Sequence, residues 1–301
     1  MSKVTRIKGD LDDVDTLLEI ISVIKDVATS RFFAFSAKKK NLQRFFDAFL
    51  EFLETVKNIE TTCPLLRNEN PGVDIVVLAS DQSFMSQMNS KVASIAHQQY
   101  IKYPGSSVIC LGKRCAANLR MMGVERIEKV LTLGQFPNRF DLSHYLRDYL
   151  TDRILKGLAG KAILVHLWAK SFAVIKPRIL TLLPAGELVR TKGGDITHEE
   201  MEAEKTTAKG VFEVILETSP DSIMKAIAGI WIYCRLYEIV DDIPLTEAAI
   251  QSQQLESALE YLGTERRSLL VAFRKGSREE LNKAVREVFT AASFASSRKR
   301  H

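Results

Sequence analysis

Two apolar stripes, one towards each end of the 301-residue chain, limit what it can fold into more than any other feature. From Leu11 onward apolar residues recur at alternating three- and four-residue steps: Val14, Leu17, Ile21, Ile24, Ala28, Phe32 and Phe35, then Leu42, Phe46, Phe49, Leu53 and Val56. That is heptad spacing, and it predicts a helix burying a narrow seam against a partner helix. A surplus four-residue step near Ala28 predicts a stutter, which unwinds a supercoil locally. No Pro or Gly interrupts Leu11 to Thr62, so one helix of about 50 residues, about 75 Å long, is expected. A second stripe runs through Leu255, Leu259, Leu262, Leu269, Phe273, Leu281, Ala284, Val288 and Ala291, with Arg266 and Ser277 as breaks.

Helices so long and so far apart in sequence bury their stripes most simply against each other. A bundle is the other arrangement, but it needs further long amphipathic segments, which are scarce here. In an antiparallel pair, cysteines at Ile24 and at some position from Leu262 to Phe273 are expected to meet.

Between the stripes the punctuation changes, with Cys63-Pro64, Asn70-Pro71-Gly72, Tyr103-Pro104-Gly105 and Gly112 separating shorter elements. Strands are predicted at 74–78, 107–111, 129–133, 162–167 and 178–183, and helices at 84–100, 115–122 and 142–158. Such alternation gives βαβ units and a mostly parallel, buried sheet. Phe212 to Leu216 is a candidate last strand, and Gly186 to Gly210 reads as a loop. The expected fold class is α/β: a long antiparallel two-helix coiled coil formed by the N- and C-terminal helices, with an inserted Rossmann-like α/β domain. Its segments are 1–62 for the first helix, 63–219 for the α/β domain and 220–301 for the last helix.

Composition narrows the partners. With 46% hydrophobic and 26% charged residues the chain should fold as a soluble protein, and its net charge of +5 is modest. The excess lies mostly in Lys38 to Lys40 and Arg298 to Arg300, without an aromatic-rich RNA-binding signature, so no nucleic-acid partner is expected. Cys63, Cys110, Cys115 and Cys234 have neither zinc-ligand nor disulfide-scaffold spacing, which fits a reducing compartment. Residues 1–10 lack the apolar core of a signal peptide. No later apolar run reaches the roughly 18 residues a membrane span needs, so membrane association is expected only through partners.

Few residues suggest chemistry. The first strand leads into Ala79-Ser80-Asp81-Gln82-Ser83-Phe84, with no glycine where a phosphate would approach backbone amides, which argues against nucleotide binding. Ser80 and Asp81 are read as caps of the next helix in preference to a catalytic pair. The five histidines show no metal-ligand spacing, and His166, inside an apolar strand, reads as a core residue. Asp241-Asp242-Ile243-Pro244 is read as a helix break or kink in preference to a metal site.

Ile20 to Arg31 resembles the N-terminal motif I-T-K-A-M-K-M-V-A-A-S-K of the gamma subunit, or central-stalk shaft, of F-type ATP synthases. Ser80-Asp81-Gln82-Ser83-Phe84-Met85-Ser86 with Asn89 is similar to that family's S-D-R-G-L-C-G and its following Asn. Gly112-Lys113-Arg114 resembles its I-G-R-K turn, and Leu182-Leu183-Pro184 its L-L-P. Phe212-Glu213 through Asp221, then Thr246-Glu247 with Leu255 to Ala258, and Phe273 to Val288 resemble its closing segments. The likeness spans nearly the whole chain in order. The departures are Gln82, Ser83 and Ser86 in place of residues that include glycines, Gln251 for an Arg, Ser277-Arg278 for Arg-Gln, a Pro244 region that looks inserted, and a basic tail.

The resemblance implies a non-catalytic rotor subunit without cofactor or metal, coupling ion-driven rotation to conformational change in a catalytic ring. Its implied partners are the alpha and beta subunits of that ring, an epsilon-type stalk subunit and the membrane rotor ring. The implied location is the cytoplasmic face of a bacterial inner membrane, or the matrix face of the mitochondrial one. Lys25, Arg31, Glu247, Gln251 and Arg278 are the implied ring contacts. A specialised ATPase shaft without a synthase role, a coiled-coil adaptor with an α/β head, and a small-molecule enzyme stay open at this point.

Overall fold

The computed structural model describes residues 3–56, 62–185 and 219–298, with side chains except those of 40–56, 220 and 291–298. The expected loop at 186–210 and strand at 212–216 lie outside the described residues. The elements are α1 (Lys3–Val56), β1 (Val73–Leu78), α2 (Ser86–Lys102), β2 (Ser107–Leu111), α3 (Lys113–Met121), β3 (Ile127–Leu131), α4 (Arg139–Leu155), β4 (Lys161–Ala169), β5 (Ile175–Leu183) and α5 (Pro220–Arg298). Contacts divide the chain into two units, Met1–Ser30 with Gln251–His301, and Arg31–Ile250.

In the first unit α1 and α5 pair antiparallel. Lys25 Nζ donates to Glu256 at 2.6 Å, the hydroxyls of Thr29 and Ser252 lie 2.9 Å apart, and Arg266 holds Asp15. Each step forward on α1 is thus a step back on α5. The seam on α1 runs through Val4, Ile7, Leu11, Val14, Leu18, Ile21, Lys25 and Ala28, in unbroken three- and four-residue steps.

The expected stutter is therefore absent. Leu17 and Ile24, assigned to the stripe on hydrophobicity, are 46% and 40% exposed, while Leu18 and Lys25 take the seam. A lysine can do so because its stem packs as hydrocarbon while its ammonium reaches an acid, here Glu256. The seam on α5 runs through Ser252, Leu255, Leu259, Leu262, Arg266, Leu269, Phe273 and Gly276. Arg266 does not break it, since Asp15 takes its charge.

At Gly276 an added Cβ would sit 3.0 Å from a Val4 methyl, so glycine permits close approach there. Leu281, Val288 and their neighbours Val285 and Phe289 are exposed, and the register sets Lys3, the first described residue of α1, level with Arg278. The register also sets Ile24 level with Ser257, not with Leu262 to Phe273 as expected.

The second unit is built on a five-stranded sheet of order β3-β2-β1-β4-β5, parallel except for β5, which runs antiparallel to β4. Every residue of β1 and β2 is buried, as strands covered on both faces must be. Val76, Leu78, Ile109, Leu111 and Leu164 face one core, closed by Leu142, Leu146 and Leu150 of α4 and by Trp231, Leu236 and Val240 of α5. Ile75, Val77, Val108, Cys110 and Val165 face the other, closed by Val92, Ala93 and Ala96 of α2 and Ala116 and Leu119 of α3.

Several local expectations shift, with α2 two residues later than expected and α4 three residues earlier. β3 lies two residues earlier than expected, because a capping box between Thr132 and Gln135 draws Leu133 into a short 3₁₀ turn. β5 starts at Ile175 and carries Pro177, which an edge strand tolerates because one flank needs no ladder donor. Pro244 does not end α5, which continues through it to Arg298. Buried Val240, Ile243 and Leu245 hold this stretch in place, and the Thr246 hydroxyl adds a 2.8 Å bond to the Asp242 carbonyl.

Candidate functional site at the carboxyl ends of the strands

The chain leaves β1 to build β2 and β3 on one side, then returns to place β4 on the other, so the connections diverge beyond the carboxyl ends of β1 and β4. Open α/β sheets bind ligands in that crevice. Here the chain's own helices fill it. Phe32 of α1 and Leu245, Ala248 and Ala249 of α5 cluster with Ala169 at the end of β4, joined by Phe35 and Phe172. Ile250 packs into the core that contains Ala79 at the end of β1.

Ser80 is the polar centre of this joint. Its Oγ donates to Glu247 of α5 and accepts the Gln82 N–H at 3.1 Å. The Asn89 side chain clasps its backbone, donating to the Ser80 carbonyl at 2.6 Å and accepting its N–H at 3.3 Å. Burial pushes the Glu247 carboxyl up, and the Ser80 bond opposes that. A serine so engaged is committed to holding β1 against α5.

Asp81 caps a helix, but not the next one. It accepts the N–H of Lys113 at 2.8 Å, at the start of α3, where a negative charge meets the positive end of the helix dipole. Gly112 just before it has φ 106°, and an added Cβ would lie 3.4 Å from the Ala79 carbonyl oxygen. The turn thus uses a glycine after β2 where none follows β1. α2 begins with no side-chain cap.

The five implied ring-contact residues are divided between the two units. Lys25, Gln251 and Arg278 belong to the first unit, Arg31 and Glu247 to the second. Lys25 is engaged with Glu256, and Glu247 with Ser80. Gln251 is half-buried, while Arg31 and Arg278 are exposed. His166 is buried with Nδ1 2.9 Å from the Leu167 carbonyl oxygen, and burial lowers it to about 4, so it is a neutral core residue. Of the two acids before Pro244, Asp241 pairs with Arg139 at 3.2 Å and Asp242 with Lys39. No cluster of three or more metal-ligating side chains occurs among the described residues, and no described helix is long and apolar enough to cross a membrane.

Sequence reasoning missed two ion pairs, Asp74 with Arg153, both buried, and buried Asp242 with half-buried Lys39. An acid opening a β-branched run was a usable signal for the first. An antiparallel pair of terminal helices and an α/β unit whose ligand crevice is filled from within define a class of helix-and-head subunits.

Comparison with known proteins makes the class specific: the family model described as ATP synthase matches residues 3–293, and the chain belongs to that family. The ATP synthase gamma chain of Chlorobium phaeobacteroides (strain BS1) is 24% identical, over 94% of this chain and 97% of the relative. That of Desulfotalea psychrophila is 22% identical, over 86% of this chain and 87% of the relative. Among solved structures, a chain of the Euglena gracilis mitochondrial ATP synthase OSCP/F1/c-ring assembly matches with TM-score 0.63 and 12% identity, over 99% of this chain and 96% of its own. A chain of the Tetrahymena thermophila mitochondrial central stalk/c-ring matches with TM-score 0.56 and 15% identity, over 79% and 99%.

Proposed function

We propose that this chain is the gamma-type, central-stalk subunit of a rotary ATP synthase or ATPase, and that it couples rotation to catalysis elsewhere without making a bond itself. The observation that carries this is the antiparallel pairing of two terminal helices in a chain that belongs to the ATP synthase family. An asymmetric helix pair presents a different face to each catalytic subunit as it turns, and differential contact energy is all that such an effector can supply. Twisting a close-packed seam costs packing energy, which suits it to carry torque.

The alpha and beta subunits of the ring are the partners of the helix pair in this reading, and the exposed Leu281, Val285, Val288 and Phe289 fit an apolar lining there. An epsilon-type subunit and the membrane rotor ring are the partners of the α/β unit. For assembly the useful segments are 1–62, 63–219 and 220–301. The chain sits on the cytoplasmic face of a bacterial inner membrane, or on the matrix face in a mitochondrion. Arg31 and Arg278, being exposed, are the foremost ring contacts, with Lys25, Glu247 and Gln251 behind them.

Copurification of the tagged chain from native membranes, followed by mass spectrometry, tests the assignment. Recovery of ring and rotor subunits is expected, and capture of no ATPase subunit refutes it. Arg278→Ala in the reconstituted complex is expected to lower the ratio of pumping to hydrolysis; an unchanged ratio removes that residue from the contacts.

A further inference from the structure

Asp242 of α5 is 4% exposed, and both its carboxylate oxygens accept from the Lys39 ammonium of α1, at 2.6 and 2.8 Å. So buried an acid stays charged only while a cation remains on it. Beside it lies a polar cavity of about 20 Å³, walled in part by His166, Arg178, Arg235 and Glu238 and large enough for one water.

Among the described residues, the charged neighbours on the packed elements leave Lys39 as the direct counter-ion. On α5, Glu238 is held by Arg235, and Asp241 is drawn towards Arg139 of α4 at 3.2 Å. On β4, His166 faces the Leu167 carbonyl. On β5, Arg178 stacks over Trp168, 5.3 Å from its ring centre. Lys39 itself keeps 28% of its side chain exposed, so it has water to turn to. Two residues beyond Asp242, Pro244 deletes the helix bond to the Val240 carbonyl.

We propose that Asp242 is a proton-binding site: a proton arriving through the adjoining cavity neutralises the carboxylate, releases the Lys39 ammonium to solvent and opens this ion pair between α1 and α5. The step balances, since hydronium from the solvent gives up the proton and becomes water, the carboxylate becomes an acid and the lysine keeps its charge. Burial pushes the carboxyl up to about 6, with Lys39 pulling the other way and Glu238 and Asp241 adding to the rise. Mild acidification of the isolated chain therefore reaches the site.

Carboxyl ¹³C NMR of the full chain between pH 4 and 8, with ¹³C-labelled lysine, tests the proposal. The Asp242 resonance is expected to titrate near pH 6, and the Lys39 side-chain resonances to move with the same midpoint. Lys39→Met should raise the Asp242 midpoint by about one unit or more. Asp242→Asn should flatten the Lys39 response, and amide spectra at pH 8 show that each variant is folded. An Asp242 midpoint near the ordinary 3.8, Lys39 signals that stay flat from pH 5 to 7, or a midpoint that ignores Lys39→Met would each overturn it.

Discussion

Arg153 of α4 holds Asp74 of β1 through two hydrogen bonds, from Nε at 2.7 Å and from Nη2 at 2.9 Å, with both side chains buried. Ser107 and Glu128 also meet the guanidinium, at 3.3 and 3.4 Å. Removing one partner strands the other charge, so Arg153→Met is expected to cost about 3–5 kcal/mol in urea unfolding. Adding Asp74→Leu should recover most of that loss, because an apolar pair needs no compensation. A double variant as unstable as the single would show that the pair matters for more than its buried charge.

Thr29 and Ser252 touch through their hydroxyls at 2.9 Å, which fixes the register of the helix pair. Cysteines at these two positions should oxidise to an intramolecular disulfide, read as a mobility shift lost on reduction. Ile24→Cys paired with cysteines from Leu262 to Phe273 should not, since Ile24 points outward and lies level with Ser257. Efficient crosslinking in that second series would mean a different register.

The pH dependence of stability contains two opposed contributions. His166 is lowered from 6.5 to about 4 by burial, so the stability it confers is complete above pH 6.5 and is lost as pH falls through 4. Asp242 is raised from 3.8 to about 6, so its contribution is complete below pH 3.8 and is lost as pH rises through 6. Across this window the slopes oppose, and the melting temperature of the parent chain should change little. His166→Gln should be more stable at pH 4.5 than at pH 7, and Asp242→Asn less stable, each by on the order of 2 kcal/mol. Equal pH profiles for both variants and the parent would contradict this.

Ser80 and Glu247 respond differently to substitution. Ser80→Ala leaves a largely buried carboxylate without its hydroxyl donor and is expected to cost about 1–3 kcal/mol in thermal unfolding. Glu247→Gln keeps an acceptor for Ser80 and removes the charge that burial penalises, so it should be near neutral or stabilising at pH 7. A Glu247→Gln loss as large as that of Ser80→Ala would show that the joint depends on the charge itself.

The strands at 74–78 and 107–111 were readable because both faces of β1 and β2 are covered, which leaves continuous apolar runs. Hydrophobicity alone misplaces the seam of α1 by one residue at two places, because it favours Leu17 and Ile24 over Leu18 and Lys25. Only the facing Glu256 reveals that a lysine belongs there. Ser80 and Glu247 lie 167 positions apart, and Lys39 and Asp242 lie 203 apart, so neither pairing leaves a local pattern. That Asp81 caps a helix is legible in its residue type; which helix it caps depends on how β2 lies beside β1, and that is a property of the sheet.

One face of the sheet is closed by Trp231, Leu236 and Val240, and the mouth of the strands by Leu245 to Ile250. During synthesis the strands leave the ribosome long before these residues exist. Until then Val76, Ile109 and Leu164 lack much of their cover, and the half-made unit is a target for chaperones or aggregation. Its folding therefore has to await the C-terminal helix, whereas an ordinary nucleotide-binding domain would be free to close on its own.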